Sequence, residues 1–66
     1  MVTLLDFFEE MQSFVNVSEE TLQAAEKSKV DEGNSPKLKQ LVKSWVNGLY
    51  DEDPELLVQE LERLLP

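Results

Sequence analysis

The stretch Ser35–Leu49, SPKLKQLVKSWVNGL, sets the terms for the rest of the chain. At about 100° of rotation per residue, Leu38, Leu41, Val42, Trp45, Val46 and Leu49 fall on one continuous arc. Lys37, Lys39, Gln40, Lys43, Ser44 and Asn47 fill the other. Ser35 suits an N-cap, Pro36 suits the first helical position, and Asn47-Gly48 suits a stop, so a helix is expected over 36–48. A helix with so clear an apolar stripe needs partners for it, because most helical stability in proteins comes from packing that face. Trp45, the one Trp of the chain, is expected to anchor the core.

Few other means of stabilisation are open to this sequence. With 66 residues it makes one domain at most, residues 1–66, in the size range where a single core is marginal. It has no Cys, so no disulfide and no thiolate metal site can staple it. Helix packing must hold it, with help from a second copy or a partner if the core falls short.

Three further helices are legible. Thr3 can cap a first helix over 3–16, with Asp6 completing a shortened capping box. Leu4, Phe7, Phe8, Met11, Phe14 and Val15 recur there at helical spacing, opposite Asp6, Glu9, Gln12 and Ser13. Leu5 lies off that stripe. Ser18, followed by Glu19 and Glu20 at the positive end of the helix dipole, starts a second helix over 19–30. Its inner face of Leu22, Ala25 and Val30 is thin. Asp31–Ser35 reads as the hinge, with Gly33 and Asn34 suited to left-handed backbone. Asp53 as cap and Pro54 at the first position open a fourth helix over 54–65. Leu57, Val58, Leu61, Leu64 and Leu65 face inward there, and Leu56 falls outside the stripe. The expected architecture is all-α, a compact bundle of four short helices in which the second is the weakest.

Charge narrows the functional classes. Residues 1–26 carry six acids and no base, 27–50 carry five Lys against Asp31 and Glu32, and 51–66 carry six acids against Arg63. The segments therefore stand at −6, +3 and −5, and the chain at −8. Direct nucleic-acid binding is not expected, because the whole-chain charge opposes counterion release and the third helix has no Arg. The aromatic first helix is acidic, so anionic lipid would repel it. MVTLLDFFEE has acids where a targeting segment carries positive charge, and no apolar run approaches the roughly 18–20 residues of a membrane span. The chain is expected to be soluble and cytoplasmic.

Chemistry is sparse. With no His and no Cys, the usual nucleophile–base pairs are missing, and the acids sit on polar faces or at helix starts. Asp51, Asp53, Glu55, Gln59 and Glu62 match the spacing of a calcium loop, yet Leu56 stands where the required Gly would be. No catalytic residue, cofactor or metal is expected. The leading expectation is a non-enzymatic protein-interaction module: a regulator, adaptor or small subunit, self-associating in one variant. Leu5, Phe8 and Leu56 would be the apolar anchors, with Lys37, Lys39 and Lys43 steering toward an acidic patch. The alternative is an acidic inhibitor that mimics nucleic acid, with Glu9, Glu10, Glu19, Glu20, Asp51, Glu52 and Asp53 standing in for phosphates. A structural domain of a larger assembly is a third reading.

Overall fold

A computed structural model of the chain describes residues 2–65. It contains four helices, α1 (Leu4–Met11), α2 (Glu19–Ser28), α3 (Pro36–Val46) and α4 (Pro54–Glu62), and no strand among the described residues. The all-α architecture follows the sequence pattern, but every helix stops short of its expected end.

α1 begins as expected and ends early. Thr3 is extended, its Oγ1 accepts the Asp6 amide at 3.0 Å, and Asp6 Oδ2 accepts the Thr3 amide at 3.5 Å. The reciprocal cap satisfies two of the amides that a helix start leaves unpaired. The last turn holds Glu9 and Glu10 and no base, so its charges oppose the negative end of the helix dipole. The helix closes at Met11, whose carbonyl accepts from both Phe14 (2.9 Å) and Val15 (3.0 Å). Phe14 thereby leaves the stripe that periodicity assigned it, whereas Val15 still packs half-buried against the core.

α2 starts at Ser18, whose Oγ accepts the Thr21 amide at 3.2 Å. It ends at Ser28 because Lys29 turns left-handed, with φ of 56°. The expected left-handed positions, Gly33 and Asn34, have no positive φ. Asn34 instead holds the Lys29 carbonyl with its Nδ2 at 2.9 Å, and Asp31 Oδ1 accepts the amides of Gly33 (2.7 Å) and Asn34 (2.9 Å). The supposed hinge is thus a densely hydrogen-bonded link. It is also tied to the start of the chain. Thr3 and Asp31 form an isolated antiparallel bridge, in which Leu4 donates to the Val30 carbonyl at 2.8 Å and Glu32 donates to the Val2 carbonyl at 3.0 Å. Glu32 Oε1 accepts the Val2 amide at 2.8 Å.

α3 is capped by Ser35, whose Oγ accepts the Leu38 amide at 3.2 Å. Beyond its end at Val46, Gly48 takes φ of 81° and donates to the Trp45 carbonyl, while Leu49 donates to the Ser44 carbonyl, both at 3.0 Å. These two bonds make a Schellman motif with Gly48 as its left-handed residue. Asp53 holds the N-cap position of α4, but its carboxylate makes no capping bond there.

α1 lies mainly against α2, and α3 against α4. One core joins the pairs: Leu4, Phe7, Phe8 and Met11 from α1, Ala25 from α2, Leu38 and Leu41 from α3, and Leu57, Val58 and Leu61 from α4. Among the described residues no polar or charged side chain is buried, and no helix is long and apolar enough to cross a membrane. α2 adds only Ala25, in keeping with its thin inner face.

Candidate interaction surface

Of the three apolar side chains expected to be left outside the core, Leu56 alone is exposed. Phe8 is fully buried, 0% exposed, because it shares the inward face of α1 with Leu4 and Met11; as a partner contact it is ruled out. Leu5 is half-buried and packs against the core. Leu56 is 46% exposed and stands on α4 among acids. The largest exposures belong to residues that periodicity placed inside: Phe14 at 61%, Val46 at 76% and Leu49 at 70%.

Local structure explains each of them. Phe14 lies past the early end of α1, so it has left the inward stripe. It is not free of the fold, for its ring stands edge-on to Trp45, centroids 5.4 Å apart and planes at 62°. Trp45 also meets Phe7 edge-on, at 6.4 Å and 65°. The half-buried Trp45 therefore bridges a core phenylalanine and a surface one. Val46 is at the last position of α3, on the edge of the arc. Leu49 follows the Schellman turn, in the place where an apolar residue commonly contacts the helix three or four positions before the cap. Those positions here are Ser44 and Lys43, so Leu49 has no apolar partner within the motif.

Trp45, Val42 and Val46 lie side by side along the apolar band of α3, and Phe14 stands on Trp45. Val42 lies one turn from Trp45 and one turn from Val46, at i+3 and i+4 on the helix surface, and it packs half-buried against the core. Lys39, Val42, Lys43 and Val46 share the i, i+3, i+4, i+7 stripe, which alternates charge with apolar bulk over about 10 Å of helix. Both lysines are exposed. Lys37 lies roughly 120° or more from Lys39 and Lys43 around the helix axis, so the three lysines do not act as one patch. Among the described residues the single ion pair joins Arg63 to Glu60 at 3.4 Å on α4, and every lysine stands outside it.

A shallow groove of about 260 Å³ runs between the end of α1 and α4, lined by Val15, Asn16, Glu55, Val58, Gln59 and Glu62. It brings no buried titratable group to its wall. The segment with calcium-loop spacing is helical from Pro54 onward, and no three acids among the described residues gather closely enough to hold a metal ion. The signals for the exposed band were present in the sequence: two acids without a base closing α1, and Ser44 where Leu49 needed an apolar neighbour. Comparison of the chain with protein-family models, with curated proteins and with solved structures gave no significant match.

Proposed function

We propose that this chain is a non-enzymatic protein-interaction module that docks through the apolar band at the C-terminal end of α3. The observation that carries the reading is the exposure of Phe14, Val46 and Leu49 beside a core that is already closed by ten other residues. Single exposed apolar residues are ordinary, whereas a contiguous group on one face marks a contact site. The half-buried Trp45 against which Phe14 stands is of a residue type enriched at the hot spots of protein interfaces. A cytoplasmic setting belongs to this reading, since a chain without Cys has no disulfide to lose in a reducing compartment. The module then serves as a regulator, an adaptor or a small subunit.

The test compares the protein with a Val46→Asp, Leu49→Asp double variant as baits in a pull-down from the source cell. Both positions are exposed, so circular dichroism and thermal melting should be unchanged within about 0.5 kcal/mol. Capture by the parent chain, and its loss in the variant, supports the reading. Repeating the pull-down at ~1 M salt, where the Debye length is about 3 Å, separates it from the nucleic-acid mimic. Apolar docking survives those conditions; binding through the exposed acids collapses. Capture that is equal for both baits sinks the proposed surface.

A further inference from the structure

The geometry points to an acidic amphipathic helix of another protein as the occupant of this band, and we propose it as the partner chemistry; the inference rests on the docking reading above. Three observations combine. The band is two turns long, with Val42 and Val46 spaced as a helix spaces its own ridge, so a second helix presenting i, i+3, i+4 and i+7 apolar residues matches its length and period. Lys39 and Lys43 border that ridge, exposed and outside any ion pair among the described residues, in a chain that carries 14 acids and only six bases. In so acidic a chain, two exposed cations beside the exposed Val46 and the half-buried Val42 favour carboxylates on whatever covers these valines. The described residues also offer no sheet edge, so a partner strand has no backbone ladder to join.

A second copy is the rival occupant, and it fits less well. Paired band to band, two copies would bring the lysines of both α3 helices and no α3 carboxylate to the contact, and the exposed Leu56 beside Glu55 and Glu60 is one apolar side chain and not a ridge. Each copy also brings a net charge of −8, which repels its like. A partner helix needs only a few carboxylates along the flank that meets Lys39 and Lys43. Phe14, hinged on Trp45 at the end of the band, would then cap the contact on the side away from the lysines.

The test uses two synthetic helical peptides that share one leucine stripe at i, i+3, i+4 and i+7. One is flanked by Glu and the other by Lys. Titration into the full chain is followed by Trp45 fluorescence, the chain having one Trp, and by calorimetry. The Glu-flanked peptide should bind roughly tenfold or more tightly than the Lys-flanked one. The preference should vanish or invert in Lys39→Glu, Lys43→Glu, a variant at two exposed sites whose fold is checked by its melting curve. Equal affinity for the two peptides overturns the acidic partner while leaving apolar docking intact. Failure of both peptides to bind overturns the helical occupant, and the pull-down with Val46→Asp, Leu49→Asp then reports independently on the surface. A concentration-dependent dimer abolished by Val46→Asp assigns the band to a second copy and also overturns the proposal.

Discussion

Phe14 stands 5.4 Å from Trp45, edge to face, yet 61% of its surface remains open to water. The contact holds an exposed aromatic ring in a defined place. An aromatic pair of this geometry contributes about 0.5–1.5 kcal/mol beyond area burial. Phe14→Ala should therefore lower stability by about 1 kcal/mol in urea unfolding and shift Trp45 emission to longer wavelength. A loss above about 3 kcal/mol would instead place Phe14 in the core.

Phe8 behaves oppositely. It is sealed at the centre of the α1 face, so Phe8→Ala should cost about 3–5 kcal/mol through lost transfer energy and the cavity left behind. In a chain of this size that is enough to leave much of the population unfolded at room temperature. Chemical denaturation read by circular dichroism measures it. A variant folded as firmly as the parent would return Phe8 to the surface.

Two left-handed residues should respond in opposite senses. Lys29 adopts φ of 56° with a full side chain, so Lys29→Gly removes the steric cost of left-handed backbone, about 1–2 kcal/mol, against the entropy Gly loses on folding. A net gain of up to about 1 kcal/mol is expected. Gly48→Ala should cost about 1–2 kcal/mol, because φ is 81° there and the new Cβ would come within 2.9 Å of Asp51 Oδ2. The carboxylate can swing aside, so the backbone angle sets most of the cost. Thermal melts of the two variants check both signs.

Glu32 serves the fold through one acceptor atom. Its Oε1 takes the Val2 amide at 2.8 Å in a half-buried setting. Glu32→Ala should lower stability by about 1–2 kcal/mol. The same substitution at the exposed Glu52, which makes no hydrogen bond or ion pair among the described residues, should change it by less than about 0.5 kcal/mol. Similar costs at both sites would mean that net charge, and not the bond, is at work.

What could be read from the sequence was where helices begin. Thr3, Ser18 and Ser35 each cap through a side-chain oxygen, and Pro36 and Pro54 sit at first positions, because those preferences are local and act through one or two backbone amides. Helix ends were less legible. α1 was expected to run to residue 16, but a stripe of apolar residues says where a helix would face and not whether it continues. Once α1 stops at Met11, Phe14 leaves the arc. Val46 and Leu49 were expected in the core for a similar reason: angular position on a wheel does not reveal that α3 ends at Val46 and that a left-handed Gly48 redirects the chain before Leu49. Phe8 erred the other way, its inward position being plain from the stripe and its role as a spare contact unsupported by it. Lys29 carried no sign of its left-handed turn, since that conformation is held by Asn34 five residues later.

The clasp between Thr3 and Asp31 has its own consequence for how the molecule opens. Leu4 and Glu32 each give their amide proton to the opposite side of it, so neither proton can reach solvent while the other side stays closed. In deuterium oxide the two amides should report one common opening free energy once each rate is corrected for its intrinsic value, and fraying of the first helix alone should not release them. The beginning of the chain and its middle would then come apart in a single event.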